Sequence, residues 1–314
     1  LFTSVAVERF PGWESWPPQQ VLHDEVLGER IRLLKQLAGG TPPRILVAAV
    51  ESLMQPAPDR ATLQRHTRRV AAGKDVSLTD LAQWFAAAGL HHTTAVELPG
   101  EFSVRGGIVD VFAPDWETPA RIELFGDEVE SIRQFDVASQ RSLAQLDAVD
   151  ITLVDPASPG QAHMAEYLPD GSWVMLVEPD EIVEQASRYL ERTELPEELH
   201  GSSEVLRALT RHPSVTAWAV APASLEATCH LRIESVERLS GELGRVRDEL
   251  DEAAAGQEVF VVCPTEAEVQ RLGDLFAETQ AWQEGRLHFP VGTLSQGFRL
   301  APERTVLLSS AELF

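Results

Sequence analysis

Apolar positions change period twice within the first 58 residues. Alternation over Ser4–Val7 predicts a strand, and the loop Phe10-Pro11-Gly12-Trp13-Glu14-Ser15-Trp16-Pro17 follows it. Leu27, Ile31 and Leu34 then recur at helical spacing inside an amphipathic stretch from Leu22 to Leu37, which Gly39-Gly40 ends. Arg44–Val50 reads as a second strand, so the opening is a βα unit of a parallel sheet. The segment Gln55-Pro56-Ala57-Pro58-Asp59 interrupts this pattern. A short helix is expected after it, from a cap at Ser77 or Thr79 through Leu81, Trp84 and Phe85 to Gly89.

Residues 99–135 have a different period. Phe102 and Val104 point away from Arg105, and Gly106-Gly107 reads as a bulge. Along Arg121-Ile122-Glu123-Leu124-Phe125 the apolar pair Ile122 and Leu124 takes one face, leaving Arg121, Glu123 and Phe125 on the other. Gly126-Asp127 suits a type II′ hairpin that sets Leu124 opposite Val129 and Glu123 opposite Glu130. Two facing carboxylates repel, so Arg121 or Arg105 is the expected compensation. One face is core, and the other presents Arg105, Arg121 and Phe125 to solvent or a partner. Arginine and aromatic side chains are common interface anchors. The plainer alternative is that these arginines only neutralise neighbouring glutamates and that Phe125 caps a satellite cluster.

From Asp155 to Gly171 the chain is rich in Pro, Gly, Ala and Ser, after which the α/β pattern resumes. Trp173–Val177 reads as a buried strand feeding a helix from Asp180 to Leu190. Leu239, Leu243, Val246 and Leu250 stripe an acidic helix, Glu258–Val262 is a strand, and Thr265 caps the next helix. Strands near Leu287–Val291 and Thr305–Ser309 complete the pattern. The expected organisation is an α/β parallel-sheet domain built from residues 1–58 and 151–314, interrupted by a small α+β domain over 59–150.

Composition narrows the function classes. The chain has 314 residues, a 44% apolar content typical of a globular protein, and no apolar run of membrane-spanning length. A cytoplasmic location is the default expectation. Its net charge of −23 falls mostly on residues 151–314, a half that should repel phosphate rather than bind nucleic acid unaided. The one basic run, Arg60, Arg65, Arg68, Arg69 and Lys74, reads as a solvated helix face or linker rather than a DNA contact. Cys229 and Cys263 lack metal-ligand spacing and read as structural thiols. Adjacent His91-His92 and the His23-Asp24-Glu25 run diverge on a helix, so no metal site is expected. Neither lysine, Lys35 or Lys74, stands in a GxxxxGK[ST] phosphate loop, and no GxSxG, HExxH or GxGxxG pattern occurs. Catalysis by this chain is not expected, and no cofactor is called for.

Three segments carry a family resemblance: Phe10-Pro-Gly-Trp-Glu-Ser, Gly100-Glu-Phe-Ser-Val-Arg-Gly-Gly-Ile-Val-Asp-Val-Phe, and Gly297-Phe-Arg-Leu through Glu312-Leu-Phe. Together they resemble the N-terminal UvrB-homology region of bacterial transcription-repair coupling factors. The resemblance implies a degenerate, ATPase-incompetent RecA-like domain whose inserted domain docks the repair protein UvrA. It implies an adaptor for nucleotide excision repair in which Arg105, Arg121 and Phe125 contact UvrA. It further implies that the chain is a fragment, with the ATP- and Mg-dependent translocase motor and the contacts to DNA and RNA polymerase lying in absent domains. A restraining contact with the parent's C-terminal domain is also implied. A UvrB-type DNA-engaging repair ATPase or helicase subunit is the alternative, but it needs a phosphate loop and a Tyr-rich hairpin, and the only tyrosines are Tyr167 and Tyr189.

Overall fold

A computed structural model describes residues 6–14, 16, 25–155, 160–219, 232–236 and 243–313. Contacts divide the chain into two compact units, Val5–Ala221 and one holding Pro222–Phe314. This division falls inside the 151–314 range expected to complete the α/β domain.

In the first unit β1 (Val7–Phe10) runs parallel to β2 (Ile45–Ala48), with α1 (Glu25–Ala38) between them in sequence. The start expected for the first strand, at Ser4, lies outside the described residues. Leu27, Ile31 and Leu34 are buried as their spacing requires. Val50 does not extend the second strand. It opens α2 (Val50–Met54), because the Ser52 hydroxyl and the Leu53 N–H both turn back to the Ala49 carbonyl. A third helix, α3 (Arg60–Arg65), is capped by Asp59, whose carboxylate accepts from the Thr62 N–H.

Arg30 of α1 is the most confined charge in this unit. It donates to the carbonyls of Pro11, Ser52, Gln55 and Pro56 at 2.9, 3.0, 3.1 and 3.1 Å. Its guanidinium lies 4.4 Å from the Phe10 ring centre and 5.1 Å from that of Trp13. Burial brings its pKa down to about 9, against an opposing effect of Tyr189. Four carbonyls thus replace the water a buried cation loses. Gln55 completes the arrangement by donating to Tyr189 Oη at 2.6 Å and the Trp13 carbonyl at 2.7 Å. The loop after β1 is thereby bound to the end of α2.

The next strand, β3 (Thr67–Ala71), and helix α4 (Leu78–Ala87) precede a six-stranded sheet. Its strands are β4 (His91–His92), β5 (Glu101–Arg105), β6 (Ile108–Phe112), β7 (Ala120–Phe125), β8 (Glu128–Phe135) and β9 (Ser142–Leu146), adjacent in chain order and antiparallel except for β4 with β5. On leaving the sheet, β10 (Ala148–Thr152) pairs with β3, so the strands entering and leaving this segment lie side by side. Ser77, not Thr79, caps α4. Phe102, Val109, Val111, Ile122, Val129 and Ile132 of the sheet pack with Leu81 and Phe85 of α4 and with Val70 and Ile151. The basic run is part helix, part strand and part turn, with Arg60 and Arg65 in α3, Arg68 and Arg69 in β3 and Lys74 in the turn after it. Arg60 lies over the Tyr167 ring, Arg68 lies over Trp84, and Arg69 pairs with Asp150.

Two contacts fix this segment against α1. Lys35 Nζ lies 2.5 Å from the buried Asp115 Oδ2 and donates to the Asp150 carbonyl at 3.1 Å. About two turns earlier, Gly28 faces the Pro114 carbonyl so closely that a Cβ would lie 2.1 Å from its oxygen. Only glycine permits that approach.

Beyond the sheet, β11 (Val174–Val177), α5 (Pro179–Arg192), α6 (Ser202–Leu209) and β12 (Ser214–Ala217) follow, with β11 and β12 parallel. The strand expected to be buried is covered on one face only. Val174 and Leu176 pack on the core, whereas Trp173 is 72% exposed and Met175 65%. The core they join runs from Phe10 and Leu34 to Tyr189 and Leu209. Between β10 and β11, His163 caps a short 3-10 turn, its Nδ1 accepting from the Ala165 N–H at 3.0 Å. Burial first, and neighbouring His200 second, lower its pKa to about 4, while Glu204 and Glu166 oppose them.

The second unit contains β13 (Ile233–Ser235), α7 (Leu243–Ala253), β14 (Glu258–Val262), α8 (Glu266–Phe276), α9 (Gln280–Gln283), β15 (Leu287–His288), β16 (Phe298–Leu300) and β17 (Thr305–Ser309). Its five-stranded sheet has the order β13-β16-β17-β14-β15 and is mixed rather than wholly parallel, since β16 is antiparallel to both neighbours. Val246 and Leu250 of the acidic helix are fully buried, and Thr265 caps α8 as expected. Leu239 and Cys229 lie outside the described residues. Cys263 is a free, fully buried thiol, its pKa pushed up to about 11 by burial. Among the described residues no helix is long and apolar enough to cross a membrane, and no group of three or more His, Cys, Asp or Glu side chains could hold a metal.

Two stability tests follow from these buried groups. Arg30→Met should cost on the order of 3 kcal/mol in urea unfolding followed by tryptophan fluorescence, because it strands several buried carbonyls. His163 carries a folded pKa below its unfolded value, so its contribution is intact above pH 6.5 and is lost as the pH falls towards about 4. Unfolding midpoints between pH 7 and 4 should therefore drop for the native chain and vary less for His163→Asn.

Candidate functional site

Strand register determines which side chains share the open face of the six-stranded sheet. Arg105 on β5 lies opposite Ile108 on β6, Ile108 opposite Glu123 on β7, and Glu123 opposite Ser131 on β8. The next row of the same face is Ser103, Asp110, Arg121 and Arg133. Ile122 and Leu124 are buried on the opposite face, so Phe125 continues the row of Arg121 and Glu123. Arg105, Arg121 and Phe125 therefore stand on one face of one sheet. Phe125 is 81% exposed.

Two local details differ from the expected hairpins. Gly106-Gly107 is not a bulge but the two-residue turn joining β5 to β6, since Arg105 pairs directly with Ile108. The irregularity sits on β8 instead, where the register shifts between Glu123 and Leu124 and leaves Glu130 without an opposite residue. Leu124 still faces Val129, and Gly126 takes a φ of +67° in the loop. Glu123, however, meets Ser131 rather than Glu130. The extra residue removes the carboxylate clash that a regular hairpin would create.

The charges on this face are mostly paired within it. Arg121 holds Asp110 with two bonds, Nε to Oδ1 at 2.7 Å and Nη2 to Oδ2 at 2.8 Å, and also donates to Gln140 Oε1 at 3.3 Å. Its guanidinium lies 4.8 Å from the Phe135 ring centre. The hydrogen bond to Asp110 raises its pKa further above the ordinary value. Glu123 accepts from Ser131 Oγ at 2.8 Å and pairs with Arg133. Those contacts hold its pKa below the usual carboxylate value, the Ser131 bond contributing most and Arg121 least. Compensation for Glu123 thus comes chiefly from Ser131 and Arg133, not from Arg105 or Arg121. Arg105 donates to the Thr94 carbonyl and has no ion pair among the described residues.

An apolar cluster also lies in this part of the molecule, made of Val96, Phe112 and Phe135 with Trp116 and Val137 packed against it. Phe125 is not part of it. The role of Phe125 as a cap on a satellite cluster is thereby removed, whereas Arg121 does neutralise a neighbouring carboxylate, that of Asp110 rather than of a glutamate.

Residues 69–156 match the family model of the UvrB interaction domain. The chain is also 38% identical over 146 residues to the transcription-repair-coupling factor of Myxococcus xanthus, an alignment covering 46% of the chain and 12% of that protein. Against the factor of Bacillus subtilis (strain 168) the identity is 34% over 131 residues, 42% of the chain and 11% of the relative. With that of Escherichia coli (strain K12) it is 32% over 152 residues, 48% and 13% respectively. The stretches aligned with these curated relatives thus span between 11% and 13% of their length. The residues matched by that family model take in the whole six-stranded sheet, α4 and β10, and so contain all three candidate residues.

Within this domain, sequence patterning missed Asp110, Ile108 and Arg133 as members of the face. Strand alternation on β6 was the available signal, with Val109 and Val111 inward and Ile108 and Asp110 outward. The Gly106-Gly107 reading concealed it. Arg133 was hidden by the β8 bulge, which breaks simple counting from Val129.

Gly107 sets how closely the two hairpins approach. Leu124 N–H donates to the Gly107 carbonyl at 2.7 Å, and a Cβ on Gly107 would lie 2.5 Å from the Leu124 carbonyl oxygen. Gly107→Val should therefore separate β6 from β7 and cost about 2 kcal/mol or more, measured as a lowered midpoint in chemical unfolding.

Proposed function

We propose that this chain is a non-catalytic, UvrB-like adaptor of transcription-repair coupling that recruits UvrA to stalled transcription complexes in nucleotide excision repair. The observation that carries this reading is an aromatic ring held almost wholly in solvent on the open face of a UvrB interaction domain. Exposing a phenylalanine costs hydrophobic free energy that a folded chain offsets only elsewhere, and an exposed aromatic beside arginines is the composition of a binding anchor. Arg105 and Arg121 flank it on the same face. The acidic balance of the chain, −23, disfavours the DNA-engaging alternative, because duplex binding requires clustered cations.

In a whole coupling factor, ATP-driven translocation and the contacts to RNA polymerase and DNA belong to the length that this alignment does not cover. Residues 69–156 supply the docking step alone. Titration calorimetry of UvrA into this chain tests the reading. Phe125→Ala should weaken binding by about 2 kcal/mol with unchanged thermal unfolding. Equal affinity of the native and substituted chains would reject it.

A further inference from the structure

The open face separates its charges into two kinds. Arg121 and Arg133 are committed to Asp110 and Glu123 of the same sheet, and Arg121 is also held by Gln140 and the Phe135 ring. With Nε and Nη2 engaged, Arg121 retains only its Nη1 hydrogens and cannot present a two-pronged fork to an incoming carboxylate. Arg105 differs. It is exposed, bonds to a backbone carbonyl, and keeps its full charge without a carboxylate partner among the described residues.

Between Arg105 and Phe125 stands Ile108. It lies directly across from Arg105, and Phe125 is two residues beyond the partner of Ile108 on β7, a diagonal neighbour on the same face. Ile108 is 38% exposed although it sits on a central strand. The turns at Gly106-Gly107 and Gly126-Asp127 bring these three side chains to one end of the sheet, tied by the Leu124 to Gly107 hydrogen bond. Cation, aliphatic side chain and ring thus form a short continuous strip. The paired Arg121 and Asp110 lie one row behind it.

We propose that Arg105, Ile108 and Phe125 form the recognition strip, in which Ile108 is a second apolar anchor and Arg105 meets a carboxylate of the partner, while Arg121 is a positioning residue that acts through Asp110. The partner surface that fits presents an acidic side chain beside an apolar recess. This assignment rests on the docking role proposed above, with UvrA as the probe.

The test is the affinity of UvrA for the full 314-residue chain by calorimetry at several salt concentrations. Absence of binding by the native chain would overturn the docking role itself and this assignment with it. Given native binding, Ile108→Ser should weaken it about tenfold or more with unchanged thermal unfolding. Arg105→Gln should weaken it similarly and flatten its dependence on salt, because a charge across the interface is lost. The discriminating variant exchanges the paired residues, Asp110→Arg with Arg121→Asp. A positioning pair keeps affinity within about threefold after exchange, whereas Arg121→Ala alone loses it. Should the exchange unfold the sheet, the neutral pair Asp110→Asn with Arg121→Gln retains the hydrogen bond and carries the same expectation. Loss of binding by a folded exchanged or neutral pair equal to that of Arg121→Ala would overturn the positioning role. Native affinity for Ile108→Ser would overturn the second anchor.

Discussion

The six-stranded sheet buries one face against α4 and the β3–β10 pair and only part of the other, and that constraint organises the surface within residues 69–156. Phe102, Val109, Ile122 and Val129 close on α4 and on the β3–β10 pair; of the intervening residues Ser103, Phe112 and Phe135 are also buried, the two rings in a cluster with Val96, and the others are left partly or wholly towards water. Side chains on such a face must be charged, mutually bonded or held for another molecule. Asp110 with Arg121, and Glu123 with Ser131 and Arg133, are the bonded members. Arg105, Ile108 and Phe125 belong neither to these pairs nor to the buried cluster, and they gather at the end of the face where the two hairpin turns lie.

The β8 bulge has a consequence for that surface. A regular hairpin would set Glu123 against Glu130 and leave two carboxylates competing for one arginine. One inserted residue moves Ser131 into the opposing position, where its hydroxyl donates to Glu123. Arg133 is thereby brought into the same pair, and Arg105 is released from any neutralising duty on β7. The bulge also preserves Leu124 opposite Val129, so the core face keeps its packing.

Elsewhere in the first unit, polar groups rather than apolar ones define the joints. Arg30 binds the loop after β1 to the end of α2 through four carbonyls, and Lys35 binds α1 to the sheet-bearing segment through Asp115 and the Asp150 carbonyl. Both side chains come from a helix whose apolar stripe was plain in the sequence, yet their roles were not. Arg30 stands three residues after Leu27 and four before Leu34, on the buried face itself, where a charge is ordinarily excluded, and only the approach of distant carbonyls lets it stay there. The same limit applied to Trp173–Val177, where an apolar run suggested burial on both faces and tertiary packing covered Val174 and Leu176 alone.

Local periodicity determined most elements of this chain: the α1 stripe at Leu27, Ile31 and Leu34, the cap at Thr265, the β7 alternation, and the opposition of Leu124 to Val129. It therefore also determined that Arg121 and Phe125 share a face, since alternation within one strand depends only on backbone geometry. What lies across a strand is different, because register depends on turns and bulges formed between segments. Only the folded sheet set Ile108 between Arg105 and Phe125, gave Arg121 to Asp110, exchanged Glu130 for Ser131, and paired β3 with β10 some eighty residues away. Side-chain period is a property of the chain, whereas neighbourhood is a property of its closure.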